Sequence, residues 1–411
     1  MSKPYFCAVI GKGFGDEGKG MAVDFLSSRF DKTLVIRHNG GAQSGHTVEL
    51  PDKRFVFHEL SSGSFRHADT LWADTYFPDL YKLKEEMQGF YAVSGFVPEI
   101  YVQPDTTVTI IDDVILNMAV EESRGESRHG SCGMGIYEAQ CRKEAGYGIT
   151  MRELFSWSEE QLLRKLIEVR TRYVPERLAE LGIENADIGE YGELLRNRAV
   201  LENVAGEMLR NLTYVTLAED MTELTGRYDC VIFENGQGLL LDSENIVYSP
   251  HVTASRTGLT NPCEFVQNIH TKLDEVVYVT RSYVTRHGAG PLPHECEMNA
   301  LGIEEEDETN IENPWQGCLR YARHEPVQDF VKEIEADLRN VGKYNLQQPK
   351  RTLLITHLNE TAKKILSCDK DYPVEAFCEI QSIKDCFDAI FLSTTRFSQD
   401  IQSYSLSGDR I

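Results

Sequence analysis

The ten cysteines of this 411-residue chain include no C-x-x-C pair, which excludes the spacing of a zinc site or dithiol redox motif and leaves free thiols as the simplest state. No window approaches the run of about 20 apolar residues that a membrane-crossing helix requires. Residues 1–9 lack a basic n-region and a cleavable apolar segment, so a cytoplasmic chain without membrane association is expected. Positive charge is scarce: 42 Lys and Arg face 65 Asp and Glu, a net charge of −23. That balance argues against gripping nucleic acid, and an anionic small ligand must be held by a local basic pocket. There is no Pro/Gly/Ser-rich linker, low-complexity tract or internal repeat, so a compact fold is expected.

Short apolar runs at residues 6–10, 32–36, 108–111, 230–233, 275–279, 353–355 and 389–392 read as buried strands, several followed by glycine-rich or polar turns. This pattern predicts an α/β fold with a mainly parallel central sheet. Residues 158–217 show Leu/Arg/Glu periodicity instead and read as an all-helical insertion. Ligands of such sheets gather beyond the carboxyl ends of the strands, where the loops after Ile10, Ile36, Phe233 and Val279 are expected to converge.

The first of these loops, Gly11-Lys12-Gly13-Phe14-Gly15-Asp16-Glu17-Gly18-Lys19-Gly20, nearly spells a phosphate-binding loop. From Gly13 the G-x-x-x-x-G-K spacing is met by Gly18 and Lys19; glycines expose N–H groups to phosphate and the lysine offsets charge. The Ser or Thr that would hold Mg²⁺ is replaced by Gly20, so another ligand is needed, and Asp16 is the candidate. A carboxylate inside a phosphate cradle costs electrostatic energy unless a cation or a reacting proton requires it. A second loop, Arg37-His38-Asn39-Gly40-Gly41-Ala42-Gln43-Ser44-Gly45-His46-Thr47, again mixes glycines with a histidine able to donate to phosphate oxygens. Taken alone, Gly45-His46-Thr47 also fits a helix cap.

Together the two loops resemble the adenylosuccinate synthetase family, and Phe233-Glu234-Asn235-Gly236-Gln237-Gly238, His251-Val252-Thr253 and Thr285-Arg286-His287-Gly288-Ala289-Gly290-Pro291 extend the resemblance over three quarters of the chain. It implies a single α/β domain, usually a cytoplasmic homodimer. The implied reaction joins L-aspartate to a 6-oxopurine nucleoside monophosphate, driven by a nucleoside triphosphate with Mg²⁺. By the same resemblance Asp16 is the general base and a metal ligand, and His46 stabilises the transferring phosphoryl group. Gly15 to Gly20, Gly45, His46 and Thr47 hold the triphosphate, and the Gly45 carbonyl meets the metal. Gln43, Cys132, Gln237 and Thr253 face the monophosphate. Arg142 is matched to an arginine reaching in from the neighbouring subunit, and Arg320, after the segment 313–319, to one that receives aspartate.

The departures from the family pattern cluster at base-contacting positions. Where the family reads guanine with Thr-Lys-Leu-Asp, this chain has Thr356-His357-Leu358-Asn359, and its carboxy-terminal Ser-Thr-Gly-Pro-Asp is Ser393-Thr394-Thr395-Arg396. Asn359 offers both a donor and an acceptor, which suits adenine, so ATP or dATP stands beside GTP as donor. IMP is the first substrate reading. A relative found in certain phages joins aspartate to dGMP, which keeps dGMP or another 6-oxopurine nucleotide as the alternative. The Gly13–Lys19 spacing alone also fits a P-loop GTPase or kinase, and the altered pocket fits a non-catalytic nucleotide sensor.

Overall fold

The structure, a computed structural model, describes residues 3–125, 131, 133–183, 188–303 and 317–405. Its main sheet has ten strands: β1 Tyr5–Gly11, β2 Thr33–Arg37, β3 Asp69–Trp72, β4 Ile100–Val102, β5 Val215–Leu217, β6 Cys230–Gly238, β7 Glu275–Arg281, β8 Lys350–Thr356, β9 Ala389–Leu392 and β10 Gln402–Tyr404. Across the sheet they run β10-β9-β8-β7-β1-β6-β2-β3-β4-β5. All neighbours are parallel except β9 and β10. The chain is thus an α/β domain with a mainly parallel central sheet.

Both faces of the central strands are covered, which is why those strands read as continuous apolar runs. Along β1, Phe6, Ala8 and Ile10 enter one core with Val276, Leu353 and the helices Thr260–Asn268 and Lys332–Lys343. Cys7 and Val9 enter another with Ala22, Val23 and Leu26 of α1, Lys19–Ser27. A third core joins Trp72, Ile100 and Val102 to the helices Leu80–Ser94, Ile111–Arg124 and Arg198–Asn211.

Two expectations need correction. Residues 108–110 join no strand, and Ile111 opens the helix Ile111–Arg124: Val108 N–H donates to Ile149 O at 3.0 Å and Thr109 N–H to Pro78 O at 2.9 Å. Ile110 then caps the following helix, its N–H bonded to Asp113 Oδ2 at 3.0 Å. Within residues 158–217 lie helices such as Glu159–Glu168, capped by Ser158 and Gln161, but the segment ends in strand β5 at the sheet edge. All nine described cysteines are free.

Candidate active site

β1 sits at the centre of the sheet between β6 and β7, so the loops leaving all three meet at their carboxyl ends. The glycine loop after β1 leads into α1, with Gly18 as its N-cap at φ 92°, a left-handed conformation that favours glycine. The loop folds around Glu17. Glu17 Oε1 accepts the N–H groups of Gly13 at 2.9 Å and Gly15 at 2.8 Å, and Oε2 pairs with Lys19 Nζ at 3.0 Å. Burial would push the Glu17 carboxyl up, yet Lys19 and the Gly15 N–H hold it below the usual carboxylate range. Lys19 Nζ also donates to the Gly15 carbonyl.

Neighbouring strands brace the loop. Thr356 at the end of β8 donates from Oγ1 to Glu17 O at 2.8 Å, and Arg281 at the end of β7 donates from Nε to Asp16 O. The Asp16 side chain is 27% exposed, with Oδ2 3.6 Å from His287 Nε2.

The hairpin His46–Leu50 with Lys53–Phe57 lies beside α1. A Cβ on Gly20 would come within 2.9 Å of Thr47 O and 3.2 Å of His46 Cβ. This contact explains the missing hydroxyl of the phosphate-loop pattern: there is no room for Ser or Thr once the histidine loop packs against the helix.

His46 is buried, and its Nδ1 meets Glu234 Oε1 at 2.6 Å. Glu234 ends the apolar part of β6 with no exposure; it also accepts the Ser62 hydroxyl and, at 3.2 Å, the Ser62 N–H, with Arg37 Nη1 3.6 Å away. Burial raises the Glu234 carboxyl, but His46, Arg37 and Ser62 outweigh it and hold it down at about 2. An ionised Glu234 fixes the Nδ1–H tautomer of His46. The far nitrogen, Nε2, has no partner among the described residues. Burial lowers the His46 pKa despite Glu234, with Arg37 and Lys19 adding to the effect.

Asn39 ties the second loop to β6, donating to Gln237 Oε1 at 3.2 Å and accepting the Gly236 N–H at 2.8 Å. Gln43 reaches the same place: a Cβ on Gly40 would lie 2.8 Å from Gln43 Nε2 and 3.0 Å from Gln237 Nε2. Gly15 faces Gln237 across 4.0 Å by the same measure. Thr253 is half-buried and bonded through its N–H to Leu241 O at 2.9 Å.

Arg320 stands on a separate three-stranded sheet, in register with Arg286. Its guanidinium grips Glu295 through two bonds of 2.7 and 2.6 Å and donates to the Gly288 and Gly290 carbonyls. Arg286 is buried over the rings of Phe14 and Tyr248. Burial and then the Arg320 charge push its pKa down to about 10.

Among the expected site residues, Gly15 to Gly20, Gln43 to Thr47 and Gln237 are brought together. Asn359 lies on an exposed turn after β8, whose Thr356 touches the glycine loop. Arg142 does not fit its expected place. It is fully buried within the chain, paired with Asp113 at 2.8 and 2.9 Å and bonded to the carbonyls of Val108 and Tyr147. Its neighbour Lys143 instead reaches an exposed contact with Asp74 O at 3.2 Å. Cys132 and residues 313–316 lie outside the described residues. Glu234 was given no role of its own from the sequence; its signals are its place in the Phe233–Gly238 motif and a carboxylate at the end of an apolar run.

A family model described as adenylosuccinate synthetase matches residues 8–343. Adenylosuccinate synthetase of Microcystis aeruginosa is 30% identical over 298 residues, 70% of this chain and 62% of that protein. That of Thermosynechococcus vestitus is 31% identical over 70% of this chain and 62% of its own length. The chain thus spans less than two thirds of these curated relatives. Among solved structures, fully ligated adenylosuccinate synthetase from Plasmodium falciparum superposes with a TM-score of 0.65 at 17% identity, covering 97% of this chain and 99% of that one. The cyanophage S-2L succinoaminodeoxyadenylate synthetase, bound to dGMP and to dATP as an energy donor, gives 0.61 at 14% identity, covering 98% and 96%. At such identities the two structures speak to the fold.

Proposed function

The chain belongs to the adenylosuccinate synthetase family, and from that premise we propose that it joins L-aspartate to C6 of a 6-oxopurine nucleoside monophosphate, driven by a nucleoside triphosphate. One observation carries the reading: a phosphate cradle built on Lys19, an acid at Asp16 and a histidine aimed by a buried carboxylate share one strand-end cluster.

In this reading Asp16 removes the N1 proton, which turns O6 into a nucleophile able to attack the γ-phosphorus and displace the nucleoside diphosphate as the β–γ bridging bond breaks. His46 donates from Nε2 to the transferring group. Its imidazolium is disfavoured by burial, Arg37 and Lys19, and an incoming polyphosphate supplies the negative charge that restores it, while Glu234 holds the ring in place. The amine of aspartate then attacks C6 and the phosphate leaves. Arg320 suits the aspartate carboxylate, because its two-bond grip on Glu295 is the geometry that a substrate carboxylate would take over.

Mg²⁺ fits the donor set. Among the described residues no cluster of three or more His, Cys, Asp or Glu side chains could cage a metal, and Mg²⁺ commonly takes one or two carboxylates, with phosphates and water supplying the rest. Asp16 and the carbonyl of the exposed Gly45 would hold it, and it would offset charge on the phosphoryl group.

IMP is the first substrate. The alternative is the same chemistry on dGMP with ATP or dATP; it is favoured by the neutral Asn359 at the donor end and by the ligands of the cyanophage neighbour. In the same reading the protein is a cytoplasmic homodimer, which light scattering of the purified chain tests for assembly. No helix among the described residues is long and apolar enough to cross a membrane. The deciding assay is phosphate release with Mg²⁺ and L-aspartate over a grid of IMP, dIMP, GMP and dGMP against GTP, ATP and dATP. Aspartate-dependent turnover in one cell supports the ligase and names both nucleotides. Hydrolysis without aspartate, or binding without turnover, removes it.

A further inference from the structure

The phosphate cradle is filled by a carboxylate of its own loop. Glu17 takes the Gly13 and Gly15 N–H groups and the Lys19 ammonium, the donors that a polyphosphate oxygen would use. The surrounding wall is tight: a Cβ on Gly11 would lie 2.2 Å from Glu17 Oε2, and one on Gly238 would meet Gly13 O at 2.1 Å as well as Glu17 Oε1 at 2.7 Å. The carboxylate and a phosphate oxygen cannot both occupy this space.

We propose that Glu17 is a built-in competitor for the donor, seated in the cradle when nucleotide is absent and expelled by an incoming triphosphate. The backbone stays fixed, since Thr356 holds Glu17 O and Arg281 holds Asp16 O; only the side chain turns. A receiving space adjoins it. Glu17 lines a cavity whose wall carries Lys12, Arg281, Arg323 and Lys332 together with Glu325, Asp329 and Glu333; Glu325 is paired to Lys12 and Arg323 to Asp371.

The device sets a threshold. A single phosphate gains too little to displace an anion already holding two N–H groups and an ammonium, whereas a triphosphate adds contacts beyond the cradle. The competent fraction of the protein is reduced, and the apparent affinity for any phosphate falls in proportion.

This inference rests on the loop being the polyphosphate site of the proposed ligase, but not on ligation itself. Titration calorimetry of the full-length chain with inorganic tripolyphosphate in EDTA tests it. Glu17→Gln, which keeps the shape and removes the charge, is expected to bind on the order of tenfold tighter than the native chain, while melting at a lower temperature because the buried Lys19 loses its counter-charge. Glu17→Ala should change in the same direction. Unchanged or weaker binding by both folded variants overturns the proposal. Arg323→Met should weaken binding in the native chain and have no effect in the Glu17→Gln background; an equal loss in both backgrounds overturns the receiving cavity. Failure of the native chain and both variants to bind tripolyphosphate removes the cradle and this inference together. Tighter binding by Glu17→Gln in a protein without aspartate-dependent turnover keeps the inference and removes the ligase.

Discussion

Glu234→Gln separates orientation of His46 from its mere presence. The substitution preserves volume at a position with no solvent exposure and removes the charge. The amide oxygen can still accept from His46 Nδ1, now at 2.6 Å from Glu234 Oε1, but the amide NH₂ then faces the Ser62 N–H, which donates to Oε2 at 3.2 Å. Two donors oppose each other, and flipping the amide moves the conflict to the histidine. A charge-assisted bond is worth roughly 1.5–3 kcal/mol. Arg37, 3.6 Å from Glu234 Oε2, loses its counter-charge in the core. Its bond to Ser44 Oγ at 2.6 Å remains, so the total stability loss should fall near 3 kcal/mol rather than at the roughly 5 kcal/mol upper end for broken buried pairs. The catalytic loss should be larger. A misaimed or wrongly protonated histidine forfeits roughly 10²–10⁴-fold of acid–base assistance. Aspartate-dependent phosphate release should therefore show kcat down at least a hundredfold with the triphosphate KM changed less than severalfold, and His46→Asn combined with Glu234→Gln should cost little more than His46→Asn alone. A kcat within threefold of native in a folded Glu234→Gln protein refutes the reasoning.

Three further outcomes are expected. Asp16→Ala should abolish aspartate-dependent turnover, by at least about a hundredfold, while leaving melting unchanged, because the side chain is partly exposed and the loop is braced through its backbone; a collapsed fold would assign Asp16 a structural role instead. Asn359→Asp should shift donor preference from ATP toward GTP, measured as the ratio of kcat/KM values, since a carboxylate accepts from the guanine N1–H and 2-amino groups; an unchanged ratio would place the donor base elsewhere. Glu59 should give the fold a pH dependence. Burial, with Glu86 and Asp79 nearby, raises its carboxyl to about 8, against about 4.3 in the unfolded chain. The native state therefore holds the extra proton, and this contribution to stability is full below about pH 4 and lost as pH rises toward 8. Urea midpoints across that range should fall less for Glu59→Gln than for the native chain, and identical slopes would contradict the assignment.

The glycine-rich loops and six of the apolar runs were legible because each signal is local: β1, β2, β6, β7 and β8 have buried apolar stretches on both faces, and the half-buried β9 is apolar throughout. Residues 108–111 carry the same signal without the partner strand, since their bonds go to Ile149 and Pro78. The strands β3, β4 and β5 have three or four residues each, too short for a period to emerge. At the site, Asp16 and Lys19 were candidates from the spacing of the first loop and His46 from the family resemblance, whereas Glu234 meets a histidine 188 residues away and no local pattern encodes that pairing. Arg142 illustrates the opposite error. Its place in the chain matched an intersubunit arginine, but Asp113 on the adjacent helix captures it first.

Oxygen labelling distinguishes attack of the purine O6 on the γ-phosphorus from hydrolysis of the triphosphate. With nucleoside monophosphate carrying ¹⁸O at position 6, each phosphate released during aspartate-dependent turnover should carry one labelled oxygen. Phosphate that draws its new oxygen from water would mean that the triphosphate is simply hydrolysed and that O6 does not attack it.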